Sequence, residues 1–129
     1  MKTSQRGIDL IKRLPPHFSV LSGDDATALS LMLLGGKGVI SVTANVAPRL
    51  CADLQAACLA EDYAKARALN DQLHGLHTAL FTDASPAPVK YALTRVLAGF
   101  PDELRLPLVA ASAGSRASVD AGLAHAGLI

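Results

Sequence analysis

Residues 38–43, Gly-Val-Ile-Ser-Val-Thr, hold a run of β-branched side chains that follows a glycine turn and shows almost no polar alternation. A strand of this kind is stable only where both of its faces are covered, as inside a parallel sheet. Helical patterns lie on either side of it. Residues 26–34 combine good helix formers with an apolar face and end at Gly35-Gly36, and Pro48 opens a further helix to residue 60. Upstream, Ile8, Leu10, Ile11 and Leu14 recur at helical spacing over residues 4–14, until Pro15-Pro16 stop the helix. Residues 18–21 then form a short apolar run between those prolines and Gly23-Asp24-Asp25, as a buried strand would. Helix, strand, helix, strand, helix over residues 4–60 is the pattern of right-handed βα units, which makes the class α/β.

From Glu61 onward the strand signal disappears. Helical periodicity takes over in residues 63–81, 89–97 and 115–125, separated by a Pro-rich joint at 83–88 and an extended connection at 100–107. Ser115 offers a helix N-cap. The expected division is therefore a βα portion, residues 1–60, and a helical domain, residues 61–129. It contains a conflict, because two parallel strands leave unpaired edges on both sides and do not make a sheet. Further strands are expected from another chain or from sequence preceding this one.

Composition removes several functional classes. Lys and Arg number 12 against 11 Asp and Glu, so a nucleic-acid partner lacks its electrostatic footprint. Apolar runs such as Leu31 to Leu34 fall far short of the roughly 20 residues of a membrane span. No apolar stretch of about 7–15 residues follows the polar start, so no export signal is expected and the default compartment is the cytoplasm. Cys51 and Cys58, the only two cysteines, sit seven residues apart on one helical stripe, with Cα atoms about 10 Å from each other. That exceeds the disulfide limit of roughly 7 Å, and both read as small buried apolar residues.

Taken singly, the chemistry-bearing residues point to structural roles. Asp24 and Asp25 directly precede a helix, where aspartates cap free N–H groups and favour the dipole. Gly35-Gly36-Lys37-Gly38 ends a helix and lacks the order of a phosphate-binding loop. His74 and His77 share a helix at i and i+3 with no third metal ligand at matching spacing, so they read as a solvated or interface face, and no metal or other cofactor is expected. Tyr91 reads as a packing residue whose hydroxyl needs a partner.

Four blocks in register carry a resemblance. They are Leu21-Ser22-Gly23-Asp24-Asp25-Ala26, then Gly35-Gly36-Lys37-Gly38-Val39-Ile40-Ser41-Val42-Thr43-Ala44-Asn45-Val46-Ala47-Pro48, then Pro86-Ala87-Pro88-Val89-Lys90-Tyr91-Ala92-Leu93, and finally Leu104-Arg105-Leu106-Pro107-Leu108. In this order they resemble the C-terminal part of the dihydrodipicolinate synthase (4-hydroxy-tetrahydrodipicolinate synthase) family, over nearly all of the chain. The resemblance implies the C-terminal portion of a TIM (β/α)8 barrel, a fold of roughly 250 residues. Residues 18–21 would be its seventh strand and 38–43 its eighth, followed by the family's C-terminal helical domain. The implied activity is that of a lyase that condenses pyruvate with aspartate semialdehyde in lysine biosynthesis, through a Schiff base.

A class I mechanism needs a lysine amine kept neutral enough to attack a ketone. In the family it lies on the sixth strand, which this sequence does not reach, and the relay tyrosines and substrate-binding arginine lie further upstream. No catalytic residue is therefore assigned. Lys37 and Lys90 do not match the nucleophile's position. What the resemblance does assign is substrate-binding: Gly23 and the backbone of Ile40 line the pyruvate site, at the strand ends where barrel enzymes keep their sites. Nothing but the resemblance selects these two. The expected function is a synthase fragment inactive by itself; the alternative is a non-catalytic fragment or pseudoenzyme. Either acts through homo-oligomers or with a complementing N-terminal half, and exposed strand edges predict self-association.

Overall fold

The computed structural model describes residues 2–129. Helix α1 (Lys2–Arg13) leads to strand β1 (Leu21–Ser22), helix α2 (Asp25–Leu33) and strand β2 (Gly38–Val39). A 3-10 turn (Thr43–Asn45) then precedes four helices, α3 (Pro48–Leu59), α4 (Tyr63–Ala79), α5 (Ala87–Val96) and α6 (Ala113–His125). The strands pair in parallel, Leu21 beside Gly38 and Ser22 beside Val39. Flanking bonds from Lys37 N–H to the Val20 carbonyl (2.9 Å) and from Ile40 N–H to the Ser22 carbonyl (2.8 Å) extend the ladder slightly. The α/β order expected from the sequence is present, in a chain that is mostly helical.

Both strands are shorter than their sequence patterns. Phe18 lies outside β1 and is 54% exposed, and β2 stops well before Thr43. At Val42 the backbone is already helical (φ −77°, ψ −42°), because the 3-10 turn starts there. Ile40, expected to be covered on both faces, is 69% exposed. Side-chain pattern alone did not reveal these limits: a ladder extends only as far as a neighbouring strand supplies partners. Among the described residues each strand has one neighbour.

Helix ends follow local chemistry. At the close of α2, Gly36 N–H reaches the Leu31 carbonyl (2.9 Å) and Gly35 N–H the Met32 carbonyl (3.0 Å), with Gly35 at φ +106°. This is the left-handed C-terminal cap expected of Gly35-Gly36. Asp62 caps α4 by accepting from Lys65 N–H at 3.1 Å. The cap of α6 is Ser112, which accepts from Ser115 N–H at 3.2 Å, and not Ser115 itself. Ser115 is buried inside the first turn, and its hydroxyl pairs with that of Thr82 at 2.7 Å. Among the described residues no helix is long and apolar enough to cross a membrane.

The core sits among α3, α4, α5 and α6. Leu73 and Leu76 of α4 and Leu80 at its C-cap, spaced three and four apart, are fully buried with Val119 and Leu123 of α6. The same cluster takes in Met32 of α2, both cysteines of α3 and Ala126 after α6. Cys51 and Cys58 are thus the small buried apolar groups expected, unpaired, and burial pushes the Cys51 thiol up to about 11. Tyr91 donates its hydroxyl to Asp120 at 2.9 Å, while Arg116 lies over its ring 4.9 Å from the centroid. That finds the partner the phenol needs.

Glycine decides how closely α4 and α6 approach. A Cβ on Gly122 would stand 3.0 Å from Leu76 Cα and 3.1 Å from Leu76 N, both backbone atoms that cannot swing aside. A Cβ on Gly75 would meet only Gly122 Cα, at 4.0 Å. Gly122→Ala should therefore force the helices apart and cost about 1–3 kcal/mol. Gly75→Ala should be neutral or stabilise by up to about 1 kcal/mol, since it removes a glycine from a helix interior. Urea unfolding of the two variants checks the opposite signs.

Candidate functional site

The two residues expected to bind substrate lie side by side at the C-terminal ends of the parallel strands. Gly23 follows β1 directly. The turn around it is closed by Ser22, whose Oγ donates to the Asp24 carbonyl (2.8 Å) and accepts from Asp24 N–H (3.1 Å). Gly23 is exposed, and an added Cβ would meet no atom within 4 Å. Its smallness answers no demand from within this chain. Ile40 follows β2 directly, with its N–H on the Ser22 carbonyl and its side chain open.

Behind them lies a buried polar chain. Asp25, the first residue of α2, is 3% exposed, and its Oδ2 accepts from both Val42 N–H (2.9 Å) and Thr43 N–H (3.2 Å). Thr43 Oγ1 in turn pairs with His77 Nδ1 of α4 at 2.8 Å. Beside it Ser41 Oγ accepts from Ala44 N–H (2.8 Å), and Asn45 Nδ2 donates to the Val42 carbonyl (3.0 Å). The segment after β2 is thus tied at every residue from 41 to 45.

These contacts correct two expectations. Asp24 stands at the N-cap position of α2, but its carboxylate takes the Thr27 hydroxyl (2.6 Å) rather than a helix N–H. Asp25 spends its carboxylate across the fold, on backbone 17 and 18 residues away, a link with no local signature. Among the histidines, His74 is exposed as expected, whereas His77 is 2% exposed. A signal for this was available, since His77 extends the stripe of Leu73, Leu76 and Leu80 at helical spacing. Lys90 donates its ammonium to the Glu103 carbonyl, and Lys37 is exposed.

Burial holds the His77 imidazole below its ordinary range, and this outweighs the opposing pull of Asp25. Its Nε2 is buried without a hydrogen-bond partner among the described residues, so a proton placed there has no acceptor among them. A histidine with a depressed folded value binds fewer protons folded than unfolded. Its contribution is therefore complete above about pH 6.5 and is lost as pH falls through the lower folded value. The melting temperature should drop between about pH 7 and pH 5.5, and His77→Gln should flatten that slope. Thermal melts at several pH values on both proteins measure it.

Comparison with known proteins agrees over almost the whole chain. The sequence profile described as the dihydrodipicolinate synthetase family matches residues 1–126. The 4-hydroxy-tetrahydrodipicolinate synthase of Novosphingobium aromaticivorans is 61% identical over 113 residues, 88% of this chain and 38% of that protein. That of Laribacter hongkongensis is 52% identical over 124 residues, 96% of this chain and 42% of that protein. Among solved structures, dihydrodipicolinate synthase from Aquifex aeolicus superposes with a TM-score of 0.90 at 40% identity, over 99% of this chain and 43% of that one. The chloride-inhibited synthase from Acinetobacter baumannii, complexed with pyruvate, gives 0.89 at 42% identity over 98% and 43%. The chain spans about two fifths of the length of these relatives. Sequence and backbone agree on one assignment: the chain belongs to the dihydrodipicolinate synthetase family.

Proposed function

We propose that this chain is the C-terminal portion of a pyruvate-dependent lyase that condenses pyruvate with aspartate semialdehyde. In this reading β1 and β2 are the seventh and eighth strands of a (β/α)8 barrel. Residues 1–60 are its partial barrel and residues 61–129 its C-terminal helical domain. Gly23 and the main chain of Ile40 form one wall of the pyruvate pocket. The observation that supports this most is their adjacency, at the C-terminal ends of two paired parallel strands, which is where barrel enzymes build their sites. The synthase of Acinetobacter baumannii, solved with pyruvate, matches this portion closely.

The wall carries no nucleophile. Carbon 2 of pyruvate must be attacked by a lysine amine, with loss of water, to form the imine. Lys90 donates to the Glu103 carbonyl and Lys37 is exposed, and in this reading the family's lysine belongs to the sixth strand, ahead of the two strands present here. These 129 residues alone are inactive in this reading, and the nucleophile comes with the stretch of chain that carries strands one to six. Leu21, 47% exposed, and Ile40 are the apolar surface such a stretch would cover. The alternative is a non-catalytic chain that covers the same surface by self-association. It predicts a weight-average mass that rises with concentration in sedimentation.

Borohydride reduction separates the readings, because it fixes an imine as a stable secondary amine. Incubated with pyruvate and borohydride, the chain alone should keep its mass. Paired with the N-terminal portion of the Novosphingobium synthase, it should restore turnover of pyruvate and aspartate semialdehyde, with the adduct on the partner. An adduct on Lys37 or Lys90 would overturn the assignment of the nucleophile. A paired sample with neither turnover nor adduct would leave only the self-associating alternative.

A further inference from the structure

The proposed pyruvate wall offers backbone and no charged side chain, so its usefulness depends on how rigidly that backbone is aimed. The Ile40 carbonyl is bracketed by two anchors. On one side Ile40 N–H is held by the Ser22 carbonyl (2.8 Å), and on the other Val42 N–H is held by Asp25 Oδ2 (2.9 Å). Only Ser41 lies between them. The same carboxylate oxygen takes Thr43 N–H (3.2 Å), and Thr43 Oγ1 continues to His77 Nδ1 (2.8 Å) on the central helix α4. Both anchors originate in the β1–α2 segment, since Ser22 and Asp25 flank Gly23 and Asp24. Ser22 Oγ also closes the turn around Gly23. One short segment therefore sets the geometry of both wall residues.

We infer that Asp25 is a positioning residue for pyruvate, acting through the Val42 and Thr43 amides to fix the orientation of the Ile40 carbonyl, with Thr43 and His77 as its tie to the helical core. The inference rests on the reading of Gly23 and Ile40 as the pyruvate wall. Its physical basis is the buried location of Asp25: a carboxylate accepting two backbone N–H groups makes short, charge-assisted bonds and leaves the loop no competing arrangement with water. Replacing it with the isosteric amide keeps one acceptor but removes the charge and adds buried donors. The bracket then loosens while the volume stays the same. A ligand held by backbone groups feels that displacement in its affinity, because a hydrogen bond weakens steeply as its distance and angle are lost.

The test uses the full chain paired with the N-terminal portion of the Novosphingobium synthase. Asp25→Asn should raise the pyruvate KM about tenfold while kcat stays within about twofold, the signature of lost ground-state binding. Thr43→Val keeps the amide but loses the hydroxyl bond to His77, and should raise the same KM about threefold. Tyr91→Phe serves as a stability control: it loses the bond to Asp120 and should lower the melting temperature with no change in pyruvate KM. If Asp25→Asn does not fold, Thr43→Val decides. A pyruvate KM that stays within twofold in the folded variants, or a loss confined to kcat, overturns the inference alone. A wild-type pair with neither turnover nor a trapped adduct overturns the reading of the site and this inference with it.

Discussion

A single buried carboxylate joins the two halves of the βα portion. Asp25 begins α2, yet its oxygen receives the amides beyond the end of β2, so the end of one βα unit is fastened to the start of the other. Left without that oxygen, the buried Thr43 N–H would cost about 1–3 kcal/mol, and the half-buried Val42 N–H would lose its partner too. The parallel ladder is too short to hold register by itself, with only two residues per strand. The carboxylate supplies the missing constraint, and through Thr43 and His77 it carries the constraint into the helices. The chain beyond β2 therefore forms a tight 3-10 turn and not more strand.

The helical half supplies the rigidity that such a tie needs. Leu73, Leu76 and Leu80 pack against Val119 and Leu123 with no accessible surface left, and Gly122 lets the two backbones close to contact distance. His77 rises from this same stripe. Its imidazole is thus held by a packed core on one side and by the Thr43 hydroxyl on the other, and burial disfavours its charged form. By contrast, large apolar side chains around the two strands are exposed. Phe18, Leu21 and Ile40 lie open around a sheet that has one ladder among the described residues.

Much of the fold could be read from the residues in order. Proline and glycine placed the helix ends at Pro48 and Gly35 because they act on their own backbone. Periodicity located all six helices to within a few residues, because it reports which face of a single element is apolar. Strand lengths were overestimated at both 18–21 and 38–43, since β-branched residues state a preference but a ladder needs a partner. The proposed wall residues Gly23 and Ile40 carry no signal of their own. A glycine in a turn and an isoleucine in a strand are ordinary, and only the whole pattern of blocks singled them out.

The sequence by itself determined the α/β order, the helical second half, the burial of both cysteines and the family, because each arises from local preference or from a pattern of residue types. Only the tertiary structure decided where Asp25 and His77 spend their polar atoms. Asp25 bonds backbone 17 and 18 residues away and Thr43 meets a histidine 34 residues on. Spacings of that size leave no periodic trace in a chain. The choice is made by the dry interior, where an unpaired carboxylate, hydroxyl or amide is costly enough to select the one packing in which each finds a partner.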